Sequence, residues 1–506
     1  MDIELITGKD LLDLGWETGP EVGTALIAAR QLLTDGVSIE QLTGQLIAVK
    51  TVPETYVEDA LWGDTAQLLV KRQLRNQAPT LREELAPLSI WGRELIDEKS
   101  IEQINNTARL PATLRVALMP DAHVGYGLPI GGVAALEGAI APYMVGVDIG
   151  CRMHATVFDR NPIHMKQKEN LYKQILQENT FFGRKPIPKH ELRDHPILDD
   201  PRWAQLPRHL RSLKDTAAKQ VGSSGGGNHF VEWTALTVHG NNPLGIDEGK
   251  YIALVSHSGS RGVGYKIAQH YCKMAENLAY FLPKNLRKLG YLDYARGDGQ
   301  EYELAMSLAG DFAKACHEVI HERMAEALGG NVLGTLQNHH NFAWRVDREG
   351  SSPVFIHRKG ATPAAEGVLG IIPGSMAAPG FFVAGRGDSA ENILDNPSLN
   401  SAAHGSGRKL SRSAAHNKLD SKKVRELLKA RGVTLIGGGL DEAPDAYKNS
   451  RQVIAAQADL VRVWAEFMPV IVRMAADSGS VLGEGKARDR RDSKPWRDRK
   501  GKKKRR

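Results

Sequence analysis

From about Ser89 onward the chain alternates short β-branched runs with glycine, and these give way to long amphipathic segments. β-Branched residues pack well on a pleated surface, glycine turns or ends such runs, and helices placed between them cover the sheet faces. The alternation predicts a mixed α/β body over 89–482. Within it, apolar spacing predicts one helix over Ala305–Leu328, stopped by Gly329-Gly330, and another from Gln452 to about Ala476. Many of the 51 glycines cluster in motifs, which hints at backbone lying close to a ligand. Ahead of this body, residues 1–88 read as a small helical extension. There Val22, Ala25, Leu26, Ala29 and Leu32 recur at helical spacing, and Ser38 followed by Gln41 has the form of a capping box.

The formal net charge of +7 conceals an asymmetry. Gly485–Arg506 holds 13 Lys/Arg against three Asp, a net of +10, so residues 1–484 carry −3. A segment over 483–506 with this composition cannot build a core and is expected to be disordered. It reads either as a solubilising tail or as a tether that gains affinity for phosphate backbones by counterion release. Three cysteines, Cys151, Cys272 and Cys316, show no paired spacing, which argues for a reducing compartment. Met1–Asp10 is polar and acidic, without the features of a secretory signal. The most apolar stretch, Gly131–Cys151, is interrupted by Glu137, Pro142 and Asp148, so a cytoplasmic protein without a membrane span is expected.

Four glycine-flanked blocks carry the chemistry: Gly146–Cys151 with Asp148, Gly225–Glu232 with His229, Ser256–Gly262 with His257, and Asn338–Asn341 with His339 and His340. One thiol, several imidazoles and a carboxylate form a mixed donor set suited to transition metals, and a shared thiolate can bridge two ions for phosphoryl transfer. Taken one at a time, each histidine is more readily a structural residue than a ligand. Two further loops, Ile372–Met376 and His404–Arg408, put small residues where backbone N–H groups cradle phosphate, and a histidine in such a loop suits attack on phosphorus. A decoy lies at 317–321: His317-Glu318-Val319-Ile320-His321 is a literal H-E-x-x-H, the spacing of zinc peptidases. A chance match on an amphipathic helix is the preferred reading, with a zinc metalloprotease as the minor alternative.

Together the blocks resemble the RtcB-type RNA ligases. Met119–Gly132, with its Pro-Asp-Ala-His, the Asp148/Cys151 segment, Gly-Asn-His-Phe, His-Ser-Gly-Ser-Arg-Gly, His-His-Asn, Ile356–Ala361, Pro-Gly-Ser-Met, His-Gly-Ser-Gly-Arg and Glu442–Lys448 follow the family's order over about 89–474. The resemblance implies two manganese ions, one held by Asp148 and His229, the other by His257 and His340, with Cys151 bridging. It implies GTP as co-substrate in a pocket made by Asn228, His229, Phe230, Val231, Glu232, His340, Asn341, Pro373, Gly374, Ser375, Met376, Gly405, Ser406 and Gly407, with His404 taking the guanylate. The implied partner is RNA bearing 3′-phosphate or 2′,3′-cyclic phosphate and 5′-hydroxyl ends, joined through a histidine–GMP intermediate.

Two departures from the family's pattern stand out. Relatives usually end in a Lys-Gly whose lysine contacts guanine, whereas here Arg473 is the candidate substitute and 32 residues follow Met474. A serine common after Pro-Gly-Ser-Met is replaced by Gly380. These departures motivate an alternative, a 3′-phosphate guanylyl-capping enzyme that seals weakly. A short phrase, Asp13 to Gly23, also resembles the C-terminal helical part of CCA-adding tRNA nucleotidyltransferases, beside the plain reading as a helix hairpin.

Overall fold

The computed structural model describes residues 6–77, 80–183, 186–387, 392–475 and 482–483; the expected basic tail, from 484 on, lies outside the described residues. Contacts divide the chain into Met1–Thr80 and Leu81–Arg506. In the first unit, helices Gly8–Asp13, Pro20–Thr34, Ile39–Thr51 and Gly63–Gln77 bury Leu11, Ala25, Ala29, Leu42, Leu46 and Trp62. Two devices set the helix starts. Pro20 occupies the first turn, where its missing N–H is no loss, and Ser38 and Gln41 form the reciprocal capping box. The division falls earlier than the boundary expected at 88. Arg82 N and Ala86 N donate to Arg109 O and Ala108 O, and Leu88–Ile90 is a strand of the second unit.

Two sheets organise that unit. Five strands run in the order Leu88–Ile90, Thr113–His123, Ile130–Glu137, Val354–Lys359, Asn341–Val346. The larger sheet runs Leu369–Ile372, Gly380–Gly385, Val461–Met474, Phe230–Val238, Gly249–Ser258, Arg152–Phe158, Val332–His339, and Thr434–Ile436 adds to it in parallel with Val461–Met474. Most pairings are antiparallel, and helices Arg261–Leu278 and Gly297–Leu328 lie together against the core. The chain steps from one sheet to the other at a single residue, His340, between strands ending at His339 and starting at Asn341. The α/β expectation holds. Among the described residues no helix is long and apolar enough to cross a membrane.

The helix expected over Ala305–Leu328 is there, begins earlier, at Gly297, and ends as anticipated at Gly329, whose φ of +65° suits a residue without Cβ. The helix expected from Gln452 to Ala476 is not. Only Ser450–Ala455 is helical, and Val461–Met474 is a long strand buried between two neighbours. The run is rich in Val, Trp, Phe and Ile, and Pro469 would have broken a helix; the strand absorbs it at a register shift between Pro469 and Ile471.

Candidate active site

Strand ends deliver the expected metal-type residues to one place. Gly150, at φ +67°, lets the Asp148–Cys151 turn press against the long helix, where a Cβ would sit 2.6 Å from the Gly310 backbone. The turn is tied to the sheet crossover by Gly150 N donating to Asn341 O (2.8 Å), His340 N to Cys151 O (3.0 Å) and Asn341 Nδ2 to Asp148 O (3.1 Å). His229 and His257 enter from adjacent antiparallel strands, where Phe230 pairs with His257.

Cys151 Sγ is 3.2 Å from His257 Nε2 and 3.5 Å from His229 Nε2. His257 Nε2 is 3.2 Å from His340 Nε2, and His229 Nε2 is 2.9 Å from Asp148 Oδ2. The five groups form two overlapping triads, Asp148/Cys151/His229 and Cys151/His257/His340, that share the thiol. His257 Nδ1–H donates to the Asn228 carbonyl (3.2 Å), which leaves the Nε2 lone pair facing the cluster, the orientation a metal ligand needs. Burial holds His257 down to about 3 and His340 well below its ordinary value, so these imidazoles are neutral donors. Burial, then the Asp148 charge, pushes the Cys151 thiol up. Burial would also raise Asp148, yet its bond and charge contact with His229 hold that carboxyl below its ordinary value. Thiol, imidazole and carboxylate donors converging on one place fit a transition-metal centre.

His404 stands beside this cluster, its ring 4.8 Å from that of His340. Its Nδ1 lies 2.7 Å from Oδ2 of the wholly buried Asp121. The loop after it packs without tolerance: a Cβ on Gly407, at φ +70°, would meet Asp121 O at 1.9 Å. Lys448 fastens the same place, donating through Nζ to Pro120 O and Ala122 O and through its backbone to Gly407 O.

A cleft of about 710 Å³ opens over these groups, lined by His404–Gly407, Pro373–Met376, Asn228, Phe230, Glu232 and His257. Of the residues expected in the nucleotide pocket, four do not line this cleft. Val231 faces the opposite side of its strand, in the core with Trp233; His229 and His340 belong to the metal-type cluster; and Asn341 is bonded to Asp148 O and to Gly360 N. Residues not anticipated complete the wall: Met153, Glu442, Tyr447, Phe467, Pro469, Val472 and Met474. Burial raises the Glu442 carboxyl, which is tied to Arg408, Arg412 and the Tyr447 hydroxyl.

Both departures acquire a physical account. Arg473 does not face the cleft. Val472 and Met474 line the cleft, so strand alternation turns Arg473 to the other face, where it donates to Leu176 O (2.7 Å) and Thr180 Oγ1 (3.0 Å) and lies over the Phe182 ring. Gly380 carries no side chain because a Cβ there would strike the Phe467 ring at 2.2 Å. The H-E-x-x-H is also not a peptidase site: Glu318 turns away, its oxygens 3.3 Å from His195 and 3.7 Å from Lys314, while His317 and His321 point into the core.

The family described as tRNA-splicing ligase RtcB matches residues 103–195 and 189–475 of this chain. The RNA-splicing ligase RtcB of Escherichia coli K12 is 30% identical over 413 residues, covering 76% of this chain and 96% of its own. The tRNA-splicing ligase RtcB of Thermococcus kodakarensis is 31% identical over 444 residues, covering 74% and 90%. The RNA-splicing ligase RtcB of Mycobacterium tuberculosis is 30% identical over 435 residues, covering 73% and 99%. With a match that spans nearly the whole second unit and every motif-bearing strand end in it, the chain belongs to the RtcB family of RNA-splicing ligases.

Proposed function

We propose that this RNA ligase seals 3′-phosphate or 2′,3′-cyclic phosphate ends to 5′-hydroxyl ends, with GTP as co-substrate and manganese at the five-residue cluster. The observation that carries the reading is the Asp121–His404 pair, set in a glycine loop that faces the cluster across one cleft. With Nδ1–H donated to Asp121, the His404 Nε2 lone pair is free for phosphorus. Nε2 bonds to the α-phosphorus of GTP as the bond to pyrophosphate breaks, and Asp121 stabilises the positive charge that develops on the ring. An RNA 3′-phosphate oxygen, freed from any cyclic ester by hydrolysis, then takes the GMP from His404. The 5′-hydroxyl attacks the activated 3′-phosphorus, and GMP leaves with the electron pair. Asp148 and His229 would hold one manganese ion and His257 and His340 a second, with Cys151 common to both; bound there, the metal supplies charge neutralisation for phosphoryl transfer. The loops His404–Gly407 and Pro373–Met376 orient the phosphates.

The test is incubation of the full chain with labelled GTP and manganese, without RNA. An acid-labile, alkali-stable GMP adduct forms on the protein and is absent from His404→Ala. Adding RNA with 3′-phosphate and 5′-hydroxyl ends then discharges it into a joined product. An adduct that persists in His404→Ala, or maps to Lys359 or Lys409, overturns the assignment. Capped but unjoined 3′ ends would identify a guanylyl-capping enzyme instead.

A further inference from the structure

The H-E-x-x-H histidines are buried on the reverse side of the sheet from the cleft, and a third histidine joins them. Residues alternate sides along a strand. His257 on the Gly249–Ser258 strand faces the active-site cluster, so its neighbours Ser256 and Ser258 face the long helix Gly297–Leu328. Ser256 pairs across the sheet with His154. One ring nitrogen from each of His154, His317 and His321 lies within 4.8 Å of the other two, and all three side chains are buried.

Around this triad the partners are arranged as they are around metal ligands. His317 Nε2–H donates to Ser258 O at 3.2 Å, which leaves Nδ1 with a lone pair. His321 Nδ1 has the Thr156 hydroxyl at 2.8 Å, so its Nε2 also points inward. Both inward nitrogens converge on the Ser256 hydroxyl, at 2.7 Å each. An imidazole whose far nitrogen is fixed by an oxygen while the near one looks into a shared space is the usual outer-shell arrangement of a metal-bound histidine. The independent observation is His154: it is 6% exposed, and neither ring nitrogen has a hydrogen-bond partner. A buried polar atom without a partner is costly, and coordination would give one of these two nitrogens a partner. Burial keeps the three rings neutral, the protonation state a cation requires.

We infer that His154, His317 and His321 form a second metal site, separate from the active-site cluster, that takes a zinc ion with the Ser256 hydroxyl facing its fourth position. Three imidazoles without thiolate or carboxylate suit zinc better than manganese. The site is structural: its three histidines and Ser256 are buried, and Glu318, the would-be base, is turned to His195 and Lys314. Its place is to pin the long helix to the strand that carries His257 and to the strand that follows Cys151. The inference does not depend on the ligase mechanism.

The test uses the full chain with Cys151→Ala and His340→Ala, which empties the active-site cluster, dialysed against EDTA and analysed for zinc by mass spectrometry. About one zinc per chain remains, and adding His317→Gln with His321→Gln removes it. Absence of zinc in the first protein, or equal zinc in both, overturns the site. If the four-fold variant does not fold, X-ray absorption at the zinc edge of the two-fold variant decides: three imidazoles and one oxygen support the site, and fewer than three imidazoles refute it. His154→Gln, which removes the ring without partners, lowers zinc occupancy at least tenfold.

Discussion

Oδ2 of Asp121 stands 2.7 Å from Nδ1 of His404, and the carboxylate is wholly buried whereas the imidazole reaches the cleft. The pair sets the ring's tautomer and orientation from behind, as an acid–imidazole pair does in hydrolases. Asp121→Asn offers an amide that stabilises the wrong tautomer. Self-guanylylation should fall about 10³–10⁴-fold while bound metal is unchanged. A drop under about tenfold in single-turnover labelling would show that the pair is not used.

Cys151→Ala should abolish manganese binding and activity together, because the thiol belongs to both overlapping triads. Cys272→Ala, on a core helix away from the cluster, should cost no more than about 1–2 kcal/mol of stability and leave labelling intact. Manganese titration followed by GMP transfer separates the two variants, and a Cys151→Ala protein with ordinary manganese affinity contradicts the shared-ligand reading.

Arg473→Ala should leave the preference for GTP over ATP unchanged, since the guanidinium bonds Leu176 O and Thr180 on the far face of its strand. The same change should lower stability by about 1–3 kcal/mol, through the acceptors it strands. Glu232→Gln, at a buried carboxyl in the cleft wall, should shift the KM for GTP. Loss of GTP preference in Arg473→Ala alone would reverse this assignment.

His357 makes acid stability a measurable property of one ring. Its Nδ1–H donates to Phe355 O (3.0 Å) and its Nε2 accepts from Ala141 N (2.9 Å), and burial lowers it to about 4. An unfolded histidine titrates near 6.5, so between these values the unfolded chain binds a proton that the native chain refuses, and stability is lost as pH falls. The loss approaches about 3 kcal/mol below pH 4. Urea midpoints between pH 7.5 and 4.5 should fall less steeply in His357→Gln; parallel slopes would place the titration elsewhere.

Truncation before Gly485 removes a net charge of +10. RNA affinity should drop and its salt dependence flatten, with self-guanylylation nearly intact. Equal salt slopes with and without the segment would leave it a solubility device.

Local pattern determined a good deal. The capping box at Ser38, the glycine stop at Gly329 and the α/β texture are short-range signals, and each reads directly from neighbouring residues. The candidate site residues were legible as types, because thiol, imidazole and carboxylate recur beside glycine in four blocks. Tertiary structure alone decided the rest. Asp121 and His404 are 283 residues apart, and only the packing of the Thr113–His123 strand against the His404 loop makes them partners. The helix expected through Val461–Met474 is a strand, because its β-prone residues and Pro469 oppose a helix and neighbours on both sides supply its hydrogen bonds. That strand's alternation then sends Val472 to the cleft and Arg473 away from it. His317 and His321 share a helix face by spacing, but their meeting with His154 and Ser256 depends on which strands the sheet sets beneath that helix. Periodicity is a property of neighbouring residues, whereas convergence depends on strand order and register, which long-range burial settles.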